Sequence, residues 1–195
     1  MAIAFVAGST EIASSTASNP TATLVITDAT DMVVAYGASF VVSTGATFNG
    51  VAMTEALTVA NATSQGGIGV YYMLDASLPA AGTYTVQATF GSGDVEAMVG
   101  AIALSGTKQQ APEATASTNS TSGSSSLTST ITTVTNGAWL ISALVTSSTA
   151  ASSTAAGSEP LATEAGATYM SVIGGKAIAT AASTNLIWLM SSSAT

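Results

Sequence analysis

Short apolar blocks of strand length recur along the whole chain, and this repetition is the feature that most constrains the fold. Gly, Ser, Asn, Asp and Pro separate the blocks, as turn residues separate strands. In Thr83–Phe90 every second residue is apolar, while threonine or glutamine fills the alternate positions. This two-residue period is typical of a sheet with one buried face. β-Branched residues dominate, and no segment shows a capped apolar stripe at the helical period.

The blocks predict an all-β chain that folds as a two-sheet antiparallel sandwich, of jelly-roll or immunoglobulin-like type, with about 10–11 strands. Two segments rich in Ser, Thr and Ala, Glu113–Ser126 and Ser147–Ala156, are expected to be surface connections within a single domain spanning residues 1–195. The predicted strands are Ala2–Ala7, Ala22–Thr27, Met32–Val42, Ala46–Val59, Gly67–Leu74, Gly82–Phe90, Glu96–Leu104, Leu127–Thr133, Gly137–Thr146, Thr168–Ala179 and Asn185–Met190.

The chain is unusually poor in charge. Only 6% of its residues are charged, against about 25% in ordinary soluble domains. The only basic side chains are Lys108 and Lys176, so no basic stripe is available for nucleic acid or for an anionic membrane surface. An uncharged surface of Ser, Thr, Asn and Gly repels neighbouring molecules only weakly, which indicates a subunit of an assembly. The alternative is a soluble monomer whose net charge of −8 keeps the molecules apart.

The sequence also bears on where the protein is made. There is no cysteine, so no disulfide is expected. The first residues, Met1–Val6, lack the basic and long apolar regions of a secretory signal, and no apolar run approaches the roughly 20 residues of a membrane span. We therefore expect synthesis in a host cytoplasm, followed by assembly there.

Catalysis is not expected. With no histidine and no cysteine, the usual bases and thiol nucleophiles are missing. Most carboxylates fall at predicted strand ends or in loops, where solvated turn residues are usual. No catalytic residue and no cofactor is therefore assigned. The ten carboxylates are Glu11, Asp28, Asp31, Glu55, Asp75, Asp94, Glu96, Glu113, Glu159 and Glu164.

Two further groups of residues are candidates for binding. Asp28 and Asp31 stand in one tight turn and could offer oxygen ligands to calcium, whereas the simpler interpretation is that they open the turn by accepting backbone hydrogen bonds. Tyr71 and Tyr72 must point to opposite faces of a strand, so one is expected in the core and the other is a candidate exposed contact. Trp139 and Trp188 lie in apolar strands and are expected to be core residues.

Three segments in a fixed order resemble a known family: Ala46–Thr54 with its Asn-Gly turn, Gly67–Leu74 followed by Pro79 and Gly82–Val86, and Asp94–Gly106 running into Pro112. This order is similar to a β-sandwich module of phage structural proteins and modular bacterial surface proteins. The start, Ala2–Phe5, and the end, Leu186–Ser193, also match it.

The resemblance implies a jelly-roll-like sandwich without catalytic residues. It implies a virion structural protein at the virion surface, such as a capsid decoration (cement), head-fibre or tail subunit, in contact with capsid or tail proteins. The alternative is a carbohydrate-binding or adhesin module of a tail fibre or surface filament. In that module a further apolar strand follows the segment that corresponds to Leu186–Ser193. Since none follows here, we expect a homo-oligomer, a trimer being favoured, whose interface involves the first or last dozen residues.

Overall fold

The structure, a computed structural model, is all-β over the residues that it describes, which are 2–8, 13–15, 19–60, 66–91, 96–120, 124–146, 152–154, 159–165 and 170–194. This part contains sixteen strands and, besides them, one short 3-10 turn at Asp75–Ser77. The strands are β1 (Ala4–Gly8), β2 (Ala13–Ser15), β3 (Thr21–Ile26), β4 (Met32–Ser39), β5 (Ser43–Phe48), β6 (Val51–Ala52), β7 (Thr54–Ala60), β8 (Gly67–Leu74), β9 (Gly82–Phe90), β10 (Ala97–Ser105), β11 (Ser124–Thr132), β12 (Ala138–Thr146), β13 (Ser152–Thr154), β14 (Glu159–Ala165), β15 (Met170–Ile178) and β16 (Ser183–Ala194).

The described strands form four antiparallel sheets. Sheet 1 has the order β3-β9-β5-β6, and sheet 2 has the order β1-β10-β4-β8-β7, with β2 also paired to β10. Sheet 3 has the order β12-β15-β14, and sheet 4 has the order β11-β16-β13. The chain crosses repeatedly between sheets 1 and 2, for example from β3 to β4 to β5 and from β8 to β9 to β10, which is the connectivity of a sandwich.

Three apolar layers join the four sheets in the order 1, 2, 3, 4. Alternate residues of β3 and β9, among them Leu24 and Val86, face sheet 2 and form the largest cluster with one side of β4 and β10. The other side of β4 and β10, with Tyr36 and Ile102, faces β12 and β15 of sheet 3. The even-numbered residues of β12, such as Leu140, face β16 of sheet 4. Sheet 2 therefore has both faces covered, and all eight residues of β4 are buried.

A buried hydroxyl network fixes the contact between sheets 1 and 2. The Tyr71 hydroxyl donates to the Ser43 carbonyl oxygen at 3.0 Å and lies 2.9 Å from the Ser43 Oγ. Burial raises the pKa of Tyr71 above its ordinary value, against the opposing effect of the Ser43 hydrogen bond. Gly37 and Gly69, which are opposite each other on β4 and β8, leave the space that Ser43 and Tyr71 fill.

The all-β antiparallel sandwich is confirmed, with four sheets where two were expected. The strands Gly67–Leu74 and Gly82–Phe90 have the predicted bounds. The predicted strand Ala46–Val59 is instead divided into β5, β6 and β7, because Asn49 and Gly50 both adopt positive φ (51° and 75°) and close a hairpin. The first two residues of predicted strand Thr168–Ala179 lie outside the described residues.

Three short strands were not predicted. They are β2, β13 and β14, and β13 falls inside Ser147–Ala156, which was expected to be only a surface connection. These strands consist mainly of small residues, together with Glu159, Pro160, Leu161 and Glu164, so neither alternation nor a β-branched run marks them. Backbone pairing to a neighbouring strand defines them instead. The other segment, Glu113–Ser126, is free of strand through Ser120, and β11 begins at Ser124.

Candidate functional site

The Asp28–Asp31 turn has a structural role for one of its two carboxylates. Asp28 is exposed, whereas the Asp31 carboxylate accepts the backbone N–H of Gly106 and the Asp31 N–H donates to the Leu104 carbonyl oxygen at 2.8 Å. Thr27 and Thr30 close the turn through a 2.9 Å backbone hydrogen bond. The Asp31 carboxylate therefore ties the start of β4 to the end of β10 and does not open its own turn, which Thr27 and Thr30 close. Calcium binding at Asp28 and Asp31 stays a prediction.

The other carboxylates are dispersed. Across the described ranges there is no group of three or more His, Cys, Asp or Glu side chains placed to hold a metal ion. Glu11 and Asp94 lie outside the described residues, and Glu159 and Glu164 belong to β14. No helix within the described ranges is both long and apolar enough to cross a membrane.

The tyrosine pair divides between two layers. Tyr71 is buried at 2% exposure against sheet 1, and Tyr72 is half-buried between sheets 2 and 3. The strand geometry thus separates them as predicted, but neither ring is an exposed contact. Trp188 is buried between sheets 3 and 4, and Trp139 packs into the layer between sheets 2 and 3. Trp188 is a core residue as predicted, whereas Trp139 is only partly buried.

The segment 106–120 runs from sheet 2 to sheet 4 and forms a strap across the layer between sheets 2 and 3. Gln109 fastens its first part, since its amide N–H donates to the Asp31 carbonyl oxygen at 3.0 Å and its amide oxygen accepts the Asp75 N–H at 2.9 Å. Glu113 fastens its second part, since its carboxylate accepts the N–H groups of Val134 at 3.0 Å and Thr135 at 3.2 Å. The strap therefore connects the two halves of the chain through polar clamps.

Hydrogen bonding holds the pKa of Glu113 below its usual value. The main cause is the hydrogen bond from the Thr135 side chain, and the two backbone N–H donors and the positive charge of Lys108 act in the same direction. The clamp is consequently made by the ionised carboxylate.

The strap covers a cleft of about 250 Å³ at one end of the layer between sheets 2 and 3. Its floor is formed by apolar side chains of β4, β8 and β12, including Val34, Tyr72 and Trp139. The strap residues 106–114 and the 133–137 turn form its rim. A second cavity of about 150 Å³ lies farther along the strap, under Ala114–Thr118, and is lined by Trp188.

The outer face of sheet 1 is a charge-free surface of hydroxyl groups. Thr21, Thr23 and Val25 on β3 point outward, because the alternate residues of β3 are buried. In register with them on β9 are Gln87, Thr85 and Thr83. The outer face of sheet 4 is similar: Thr128, Thr130 and Thr132 of β11 are exposed, and the Thr130 hydroxyl donates to Asn185 Oδ1 at 2.8 Å.

One side of the stack combines two edge strands with exposed apolar side chains. We call it the β1/β3 edge, since β1 ends sheet 2 and β3 ends sheet 1, and the two strands are neighbours. Phe5 on β1 is 39% exposed and Val25 on β3 is 43% exposed. Neither strand contains a charged residue or a proline. The same is true of the edge strands β11 and β12, whereas β7 contains Glu55 and β14 contains Glu159 and Pro160.

Sequence reasoning missed the cleft and the clamps. Glu113 was placed among the solvated carboxylates, and Gln109 was assigned no role. Their one sequence signal is that they are long polar side chains in a segment otherwise rich in small residues.

Comparison with known proteins found no relative. No family model, no curated protein and no solved structure matches the chain. The resemblance to a phage and surface-protein module therefore stays a prediction.

Proposed function

We propose that the chain is a non-enzymatic structural subunit of a virus particle, exposed at the virion surface as a capsid decoration, head-fibre or tail component. It binds copies of itself and neighbouring capsid or tail proteins through uncharged contacts. The observation that carries this proposal is the β1/β3 edge, where two neighbouring edge strands without a charged residue or a proline each carry one exposed apolar side chain.

Edge strands present unpaired backbone N–H and C=O groups, and monomeric proteins usually protect them with lysine, proline or a covering element. The β1/β3 edge has no such protection in its own residues. A strand of a second copy paired with β1 or with β3 would satisfy the unpaired backbone groups of that strand. The family resemblance leads to a related expectation, that the interface involves the first or last dozen residues.

The outer face of sheet 1 extends the same surface without a charge. Thr21, Thr23 and Thr85 expose hydroxyl and methyl groups, which can be buried in a contact without the cost of desolvating an ion. A shell partner would be recognised by shape and neutral hydrogen bonds. Such contacts suit a permanent assembly, because they do not depend on ionic strength.

The test is to place a charge on the β1/β3 edge. Val25→Lys puts an ammonium group on the outward face of β3, and Val134→Lys is the matched control, because Val134 is 71% exposed in the 133–137 turn. We expect the wild type and Val134→Lys to sediment as the same oligomer at micromolar concentration, and Val25→Lys to sediment as a monomer. A monomeric wild type, or an oligomer that Val25→Lys leaves intact, would count against the proposal.

A further inference from the structure

The cleft beneath the strap has an apolar floor and a polar mouth. Val34, Tyr72 and Trp139 are among the floor residues, and the mouth carries Lys108 and Glu113 as its only ionic side chains. Their charges cancel, so the cleft attracts neither an anion nor a cation. A ligand that fits it must offer an apolar surface on one side and neutral hydrogen-bonding groups around its edge.

Thr107 gives the cleft a polar group that the fold itself does not use. Its Oγ1 is buried, and it makes no hydrogen bond to any residue in the described ranges. Buried hydroxyl groups in proteins are nearly always paired, because an unpaired one loses its hydration without compensation. Thr107 lines the cleft, so rotation about its Cα–Cβ bond would turn the hydroxyl group toward a ligand, whose own hydroxyl group would supply the missing partner.

We propose that the cleft binds a single neutral sugar ring. The C–H face of a pyranose would lie against the aromatic side chains of Tyr72 and Trp139, and its hydroxyl groups would reach Thr107, Gln110 and Lys108 at the mouth. Both aromatic residues have an apolar body with one polar group, which suits a partly wet site. The volume of about 250 Å³ is just below the roughly 300–1,000 Å³ of sites for drug-sized ligands, so one ring fits and an oligosaccharide would have to extend outward past the strap.

Other ligand classes fit less well. A phosphate or sulfate group would find Lys108 opposed by the carboxylate of Glu113, which is held ionised by its clamp. A long acyl chain would leave Thr107 without a partner and would use none of the groups at the mouth. The cleft borders the start of β1 at Ile3, but its aromatic residues Tyr72 and Trp139 lie on β8 and β12, so sugar binding does not depend on the proposed assembly role.

Tryptophan fluorescence of the full chain tests the proposal, because the two tryptophans lie in different places. Trp139 lines the cleft and Trp188 does not. The probes are the methyl glycosides of glucose, galactose, mannose and N-acetylglucosamine, titrated through about 1 mM and beyond, the affinity range of weak single-site ligands. We expect at least one glycoside to give a saturable change that persists in Trp188→Phe and disappears in Trp139→Phe.

Thr107→Val provides a second measurement that keeps the shape of the side chain. We expect it to weaken binding of the responding glycoside about fivefold, the effect of one neutral hydrogen bond, whereas Thr128→Val on the outer face of sheet 4 should leave binding unchanged. No saturable response to any of the four glycosides would overturn the proposal. A response that is equal in Thr107→Val and Thr128→Val, or binding of the apolar probe anilinonaphthalene sulfonate alone, would overturn it too.

Discussion

Gly69 provides a sharp test of how sheets 1 and 2 fit together. A Cβ atom at this position would lie 2.6 Å from the Tyr71 hydroxyl oxygen and would also collide with the Ser43 Oγ. Tyr71 and Ser43 are 2% and 3% exposed, so neither side chain can move into solvent. Overpacking of this kind costs about 1–3 kcal/mol, and breaking the buried Tyr71–Ser43 hydrogen bonds costs about 1–3 kcal/mol more. Gly69→Ala should therefore lower the free energy of unfolding by about 2–6 kcal/mol.

Gly45→Ala is the matched control. A Cβ atom at Gly45 meets nothing within 4 Å, so the substitution should be neutral or should stabilise the fold by about 0.4–1 kcal/mol through the unfolded chain. Urea unfolding followed by far-UV circular dichroism measures both variants. The double variant Gly69→Ala, Tyr71→Phe should recover part of the loss, because it removes the hydroxyl group that the new methyl group meets. The packing argument would be refuted if Gly69→Ala and Gly45→Ala had equal stability.

Three further predictions concern the strap, one glycine and the interface. Because the pKa of Glu113 is lowered in the folded state, its clamp stabilises the fold above the unfolded pKa of about 4.5, and this stabilisation is lost as the pH falls through the folded pKa. Glu113→Gln should remove this acid-sensitive part of the free energy of unfolding. Identical profiles of unfolding free energy against pH for the wild type and the variant would contradict the prediction. Gly106→Ala should lower the free energy of unfolding, measured in urea, by more than Gly137→Ala does. Both glycines have positive φ, which costs about 1–2 kcal/mol for other residues, but only at Gly106 would a Cβ atom also collide with the Ala2 carbonyl group. Deleting residues 1–7 should release monomer or cause aggregation, as judged by light scattering, whereas an unchanged oligomer would exclude β1 from the interface.

The alternating strands were predictable because one-sided burial leaves a clear record in the sequence. In β9 the apolar residues Val86, Ala88 and Phe90 are buried, and the polar residues that alternate with them, Gln87 and Thr89, are more exposed. The same is true of β3. The Asn49-Gly50 turn was predictable for a different reason: a two-residue hairpin of this type requires positive φ, which these residues tolerate best.

The stack of four sheets was missed although the sequence contains a sign of it. Met32–Ser39 and Ala97–Ser105 are almost continuously apolar or small, without the alternation of β9. Continuous runs of this kind are typical of strands that are covered on both faces. A two-sheet sandwich has no such strand, so these two runs required a further layer over sheet 2, which β12 and β15 supply.

The cleft could not be predicted from the sequence for a physical reason. It depends on where the strap crosses the layer between sheets 2 and 3, and that path is set by the clamps at Gln109 and Glu113. The partners of the clamps are mainly backbone groups, such as the N–H groups of Val134 and Thr135. Backbone groups are present at every position, so no side-chain pattern identifies them.

The central claim is that the protein assembles through uncharged surfaces, and the molar mass in solution at two salt concentrations tests it most directly. Light scattering on the wild-type chain at micromolar concentration should give one whole-number multiple of the chain mass, with three copies favoured. The same mass should persist when sodium chloride is raised from low concentration to about 0.5 M, where screening acts within a few ångström. A mass equal to one chain, or dissociation at the higher salt concentration, would contradict the claim.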